Sequence, residues 1–357
     1  MQRIYPERIF YGRNQFTRKE CEECSATFWH VDPKMKSCGS NQCNLNQTRS
    51  THHSYQNWTL KDTLSSYESH FKNLKSEVFK KSFLTPRSKM YVKHSTTGMY
   101  FLCAGCSAFE SMVESSNPRK KFLSGTLFIS NNFCYRFLDK SNVGATNRHS
   151  TGFFMLGLHC FQNTEVRFPL DWKETWVNCI LGYFIEGLKL DPSCIYLHAD
   201  SWNDGKRGGP SVEFFLDGTQ MGNCVFTERD LLLNRDLPQR YLDVGLGLQR
   251  IHQFLTRERS VYFEDLKYDH LRSLVVGLKD NLFPSKIGVG YNLRKLCETV
   301  LKEYLTEGDM SGMKSDLERV HSDLESLLNQ GFSERELDLS VEIIDKELKR
   351  CKTSNII

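Results

Sequence analysis

No part of the 357-residue sequence approaches the ~18 consecutive apolar residues that a membrane-spanning helix requires, which excludes a helical membrane protein. The opening run Met1-Gln2-Arg3-Ile4-Tyr5-Pro6-Glu7 lacks the apolar core of a secretory signal, so the expected location is cytoplasmic. There is little charge imbalance either. A formal charge of +4 does not mark a nucleic-acid binder, because phosphate binding depends on clustered Lys and Arg rather than on the total. Internal repeats and low-complexity segments are also missing, which leaves neither a solenoid nor a disordered chain.

What remains is an ordinary soluble composition, 39% hydrophobic and 25% charged. The length accommodates one large domain with a helical appendage, or two ordinary domains. Thirteen cysteines are an odd number, and Cys134, Cys160, Cys179 and Cys224 sit in apolar segments. They read as reduced thiols used as small core residues, not as a disulfide framework.

Residues 1–58 are poor in aliphatic periodicity; they carry a cysteine array followed by the polar run from Asn44 to Ser54, and are expected to form an N-terminal module and a loop. Leu60, Leu64, Tyr67, Phe71, Leu74 and Val78 recur at helical spacing, predicting an amphipathic helix within 59–81. From about 90 to 250, strand-like runs such as 99–103, 125–130 and 211–216 alternate with Gly, Asn and Asp, the pattern of an antiparallel sheet. One helix is expected inside that region, from Trp172 to Leu188. The rest reads as helices at 263–282, 291–305, 317–328 and 333–350, the last opened by the capping box Ser333-Glu334-Arg335-Glu336. The expected fold class is α+β, with a Cys-rich module at 1–58, a sheet domain at 59–260 and a helical domain at 261–357.

Three segments carry chemistry. The first joins Phe133-Cys134-Tyr135-Arg136-Phe137 through a polar loop, Asn142-Val143-Gly144-Ala145-Thr146-Asn147-Arg148-His149, to Gly152-Phe153-Phe154-Met155-Leu156-Gly157. Two strands with an arginine at the end of one and another in the loop suit a nucleotide triphosphate, since a guanidinium forks onto phosphate oxygens. The second, Tyr241-Leu242-Asp243-Val244-Gly245-Leu246-Gly247-Leu248-Gln249-Arg250-Ile251, runs through glycines into a helix. Glycines allow a ligand close to the backbone, and the helix start offers N–H groups to anions. Between them lie Trp202, Gly209-Pro210-Ser211-Val212-Glu213 and Asn223-Cys224-Val225-Phe226.

In wording and order these segments resemble the catalytic core of alanyl-tRNA synthetases, a class II family. The resemblance covers about 18–350 and includes Asn142-Val143-Gly144, Arg148-His149, Met155-Leu156-Gly157 and the Asp243, Gly245, Gly247, Arg250 series. Cys21, Cys24, Cys38 and Cys43 follow the N-terminal extension of archaeal-type members, and Pro284-Ser285-Lys286-Ile287-Gly288-Val289-Gly290-Tyr291 resembles the element that opens their helical, acceptor-stem-holding domain.

The resemblance implies an antiparallel sheet flanked by helices, ATP-dependent activation of alanine or a similar small amino acid, and transfer to tRNA. ATP would meet Arg136, Arg148, Phe153, Met155, Gly247 and Arg250, with Arg136 and Arg250 acting on the phosphates and Mg2+ on the triphosphate. The amino acid would meet Trp202, Asn223, Val225, Asp243 and Gly245, its ammonium on Asp243; tRNA would meet Arg294 and Lys295. The family's Glu at 154, Thr at 244 and Glu at 249 are Phe154, Val244 and Gln249 here, and the zinc-binding motif of the family's editing domain is absent, as in a truncated, diverged paralogue. The spacing of Cys21, Cys24, Cys38 and Cys43 is close to that of a zinc ribbon, in a segment too polar to build its own core, which predicts a structural zinc. Cys103 and Cys106 read as packing residues. An alternative remains in which the acyl group passes to a carrier protein or biosynthetic intermediate. The trio Arg136, Asp243 and Arg250 argues against a non-catalytic binding module.

Overall fold

A computed structural model of the chain describes residues 5–40, 42–43, 55–74, 79, 81–94, 98–109, 125–136, 141–161, 172–262, 266–307, 312–328 and 333–354. The polar run from Asn44 to Ser54 lies outside them. The fold is α+β. Residues cluster into two units: Met1–Pro86, Phe109–Asn131 and Met155–Arg257 form the first, and Arg87–Ala108, Asn132–Phe154 and Glu258–Ile357 the second.

The first unit is built on a sheet of ten strands in the order β1-β2-β3-β9-β10-β11-β12-β8-β7-β4. In chain order these are β1 (Arg8–Tyr11), β2 (Asn14–Glu20), β3 (Thr27–His30), β4 (Lys81–Leu84), β7 (Thr126–Tyr135), β8 (Gly152–Phe161), β9 (Ile195–Asn203), β10 (Arg207–Leu216), β11 (Thr219–Asp230) and β12 (Arg235–Gly247). Pairing is antiparallel from β9 through β8, while β4 joins β7 in parallel. Residues 1–58, in which no strand is foreseen from sequence, supply β1 to β3 and extend the sheet through Phe28↔His198 and Trp29↔Leu197. Short strands of mixed polarity give no helical or long alternating signal, which is why they escape a periodicity search.

Alternation along β10, β11 and β12 sends Phe214, Cys224, Phe226, Leu242 and Val244 to one face. Helices cover that face: Trp172 of α2 (Trp172–Gly182) meets Phe226 edge-on at 5.0 Å, and Phe184 lies 5.8 Å from Phe214. Beyond Gly182 the expected helix opens into a π-turn, Tyr183–Gly187, with Leu188 N–H donating to Tyr183 O. Helix α1 (Leu60–Asn73) begins at a Thr59–Asp62 capping box and packs Tyr67 and Phe71 on Tyr183. It stops at Leu74, whose backbone is extended, short of the expected reach toward residue 81. Helix α3 (Leu248–Thr256) completes the layer, His252 Nδ1 meeting Thr63 Oγ1 at 2.9 Å.

The second unit contains a hairpin, β5 (Tyr91–His94) with β6 (Gly98–Phe101), and helices α4 (Leu266–Lys279), α5 (Gly288–Glu307), α6 (Met313–Leu328) and α7 (Glu334–Thr353). The capping box at Ser333 and Glu336 is formed. Helix α4 is buried from Asp269 to Leu278, and just past its end Asp280 receives a two-pronged bond from Arg87, at 2.6 and 3.0 Å. None of the thirteen cysteines is in a disulfide, and Cys134, Cys160 and Cys224 are buried as expected. Cys103 is exposed and Cys106 half-buried, so these two are not core packing.

Candidate active site

Register decides which side chains share the polar face of the first unit. Asp200, Ser211, Val225, Asp243 and His159 stand directly opposite one another across β9, β10, β11, β12 and β8. The adjacent same-face row is His198, Glu213, Asn223, Gly245 and Gly157, and Trp202 pairs with Gly209 one step the other way. Directly paired residues of an antiparallel sheet project to the same side. All five residues expected to receive an amino acid, Trp202, Asn223, Val225, Asp243 and Gly245, therefore lie on one face of β9, β11 and β12.

Asp243 is 6% exposed, and its Oδ1 accepts no hydrogen bond among the described residues. That oxygen lies 3.1 Å from His159 Nδ1, an ion-pair distance without hydrogen-bond alignment. A buried carboxylate oxygen left in this state is costly unless a cation completes it. Gly245 keeps the floor low: a Cβ there would stand 2.9 Å from Met155 Sδ. Two residues along, Glu213 accepts from Gln220 Nε2 at 2.6 Å, and burial, reinforced by the neighbouring Asp200 carboxylate, pushes its carboxyl up to about 7.

Gly247 caps α3 without a side-chain hydrogen bond, which leaves the helix start open toward an anion. Arg250 stands in that first turn, one guanidinium nitrogen held by Gln220 O at 2.9 Å. Gly247 pairs with Met155 across β12 and β8, so the two share the face of Gly245.

Arg136, Arg148 and Phe153 belong to the second unit. Arg136 follows β7; its N–H donates to Thr151 O at 2.9 Å, and its guanidinium lies 5.3 Å from the Phe153 ring centre. No carboxylate pairs with it among the described residues. The loop carrying Arg148 is tied to Tyr262, whose hydroxyl accepts from Gly144 N–H at 2.8 Å and lies 2.9 and 2.7 Å from the Thr146 and His149 carbonyls. Thr151 N–H donates to the buried Asp269 carboxylate. Tyr262 and Asp269 carry no motif signal of their own and are missed from sequence; only a preference for buried tyrosines with a hydroxyl partner points that way.

The four N-terminal sulfurs, of Cys21, Cys24, Cys38 and Cys43, all lie within 4.8 Å of one another, with Cys24 and Cys38 at 3.8 Å. Tetrahedral zinc at ~2.3 Å from each sulfur requires separations of this order. Burial pushes the Cys21 thiol up, but backbone N–H groups of Cys24, Glu23 and Cys38 outweigh it and hold the thiol down to about 7, whereas at Cys24 the Ala26 N–H is outweighed by burial and the surrounding thiols, which push the thiol up. The cluster leans on β9: it shares a core with Phe28 and Tyr196, a Cβ on Gly39 would strike the Tyr196 ring at 2.6 Å, and Cys38 O lies 2.6 Å from His198 Nε2.

On α5, Arg294 and Lys295 both lie over the Tyr291 ring, at 5.7 and 5.6 Å. Lys295 also donates to Glu298 at 2.8 Å. Phe283 and Ile287, just ahead of the helix, are exposed.

Residues 78–224 match the family tRNA synthetases class II (A). That stretch is similar to a class II tRNA synthetase domain. The chain's similarity extends to the Alanine--tRNA ligase of Methanocella arvoryzae, 27% identical over 334 residues that cover 72% of this chain and 36% of the relative. The Alanine--tRNA ligase of Picrophilus torridus is 26% identical over 71% of this chain and 29% of its own length. That of Cenarchaeum symbiosum is 30% identical over 46% and 18%. The chain thus spans about a third of the first of these relatives, and less of the others. A pyrrolysyl-tRNA synthetase from Desulfitobacterium hafniense matches at 14% identity and a TM-score of 0.40, over 57% of this chain and 69% of that one.

Two of the three departures noted in the sequence fall away from the polar face. Phe154 is fully buried and meets Phe133 edge-on at 5.1 Å. Val244 pairs with Cys224 on the helix-covered face. Gln249 is buried at the start of α3.

Proposed function

We propose that the chain activates alanine or another small amino acid with ATP and transfers it to tRNA. The observation that carries this reading is Asp243, a buried carboxylate with an oxygen left without a hydrogen bond, set among Asn223, Val225, Gly245 and Trp202 on one face. It is built to receive a substrate ammonium. Trp202, Asn223, Val225 and Gly245 wall a pocket for a short side chain. The substrate carboxylate then attacks the α-phosphate in line, with pyrophosphate as leaving group. Activation of this kind needs positioning and charge cancellation, with no general base. Arg136 is assigned to the α-phosphate and the entering carboxylate, Phe153 and Met155 to adenine, and Arg148, Gly247 and Arg250 to the phosphate tail. Mg2+ accompanies the triphosphate and offsets its charge. The Cys21, Cys24, Cys38, Cys43 cluster holds zinc in a structural role.

Arg294 and Lys295 contact the acceptor stem, with Lys295 giving up part of its reach to Glu298. Charging of tRNA with labelled alanine, glycine and serine tests the whole sequence of steps. Replacing both basic residues with Glu is expected to abolish charging and to leave amino-acid-dependent ATP–pyrophosphate exchange unchanged. Exchange that persists in a parent protein unable to charge any tRNA contradicts the tRNA step.

A further inference from the structure

Within the polar face, one buried imidazole is used by nothing described so far. His159 is 1% exposed, with Nδ1 3.1 Å from Asp243 Oδ1 and Nε2 3.1 Å from Ser130 Oγ. Its ring is closed over by Phe109, centroid to centroid 4.4 Å. Gly157 makes room for the arrangement, because a Cβ there would stand 2.4 Å from Ser130 Oγ and 2.5 Å from His159 Nε2. Three elements, β7, β8 and the short helical turn at Gly105–Phe109, thus hold the ring against one carboxylate oxygen.

We infer that His159 is a positioning residue for amino-acid capture: it fixes the rotamer of Asp243 so that the carboxylate faces the substrate ammonium. The inference rests on the proposed role of Asp243. The two contacts decide the tautomer. With a bare Nδ1, two acceptor lone pairs would face each other at 3.1 Å in a buried site, whereas an Nδ1–H turns the positive end of its dipole toward the carboxylate and, without hydrogen-bond alignment, leaves Oδ1 open to the ammonium. Nε2 is then the acceptor, and the Ser130 hydroxyl, which can turn to suit, donates to it. The chain Ser130–His159–Asp243 is therefore polarised toward the carboxylate, as an outer partner orients an inner ligand. The Asp243 carboxylate thereby loses its freedom to rotate.

The consequence is selective. Removal of the imidazole leaves the ATP contacts alone and loosens only the group that receives the amino acid, so the loss should appear in KM for the amino acid. His159→Leu and Gly157→Ala, the latter by displacing the ring, are each expected to raise that KM by about tenfold, with KM for ATP held within about twofold. His159→Asn restores a donor where Nδ1 sits and is expected to recover most of the loss. A parallel measurement is independent of turnover. Nitrogen-15 NMR of histidine-labelled protein, with His159 assigned by difference against His159→Asn, is expected to show Nδ1 protonated and Nε2 bare, a pattern that Ser130→Ala weakens. An Nε2–H tautomer overturns the inference, as does equal loss in the ATP and amino-acid KM values or an Asn variant no better than Leu. Absence of exchange in the parent with the Nδ1–H tautomer present counts against the proposed function and leaves the positioning geometry standing.

Discussion

The guanidinium of Arg136 lies 5.3 Å from the ring centre of Phe153, at the two ends of a loop closed by the bond from Arg136 N–H to Thr151 O. Stacking on a ring orients the planar fork without consuming its N–H donors. Arg136→Ala is expected to lower ATP–pyrophosphate exchange on the order of 100-fold, the usual loss of a charge-stabilising donor. Arg136→Lys should recover little of it, since an ammonium cannot fork. Phe153→Leu, which keeps the charge and removes the stack, should cost less than either. Steady-state exchange kinetics on the three variants check the order.

Tyr262 anchors the loop that carries Arg148 through one hydroxyl and three backbone partners. Tyr262→Phe leaves the ring packed and strands Gly144 N–H and two carbonyls, so a stability loss of about 1–3 kcal/mol is expected. Hydrogen exchange at the Gly144 amide should rise at the same time, and KM for ATP with it. Unchanged exchange at that amide would refute the anchoring.

Zinc bound by Cys21, Cys24, Cys38 and Cys43 should appear as one equivalent per chain in protein purified without added metal. The cluster packs on Tyr196 and touches His198 through Cys38 O. Chelation is therefore expected to expose residues 18–43 to proteolysis and to loosen β9 next. Substoichiometric metal together with rapid alkylation of all four thiols in the native protein contradicts the assignment.

Glu213 gives the first unit a pH dependence with a definite sign. Burial, assisted by the Asp200 carboxylate, raises its carboxyl from 4.5 to about 7, so the folded state binds a proton that the unfolded chain has released. Its contribution is fully present below about 4.5 and is lost as pH rises to about 7. His252, pushed down to about 4 by burial, acts in the opposite direction and cancels in a comparison of variant with parent. The melting temperature of Glu213→Gln relative to the parent should therefore climb between pH 5 and pH 7.5, values taken about the two limits. A flat difference would contradict the assignment.

Much of this was legible in the sequence for particular reasons. The β12-to-α3 passage is marked by Gly245, Gly247 and Arg250, whose residue types are demanded locally by close approach and an open helix start. Helix α1 announces itself by the helical spacing of Leu60, Leu64, Tyr67 and Phe71, and α7 by the capping box at Ser333. The strands β1 to β3 do not, because they join the sheet only through β3, whose partner β9 lies more than 150 residues away, as in Phe28↔His198. His159 is hidden for the same reason: in sequence it is one polar residue in an apolar run, and only the β8–β12 register sets it opposite Asp243. The departures at 154 and 244 stand, by strand alternation, off the polar face, with Phe154 against Phe133 and Val244 opposite Cys224. Cys103 shows the converse, an apolar context that the fold leaves exposed.

The central claim is activation of a small amino acid, and ATP–pyrophosphate exchange driven by each of the twenty amino acids in turn tests it most directly. The account predicts exchange with alanine or another short side chain, none with large ones, and a fall on the order of 100-fold in Arg250→Ala and Asp243→Asn. Exchange with no amino acid at all, or exchange that survives both substitutions at the parental rate, would contradict it.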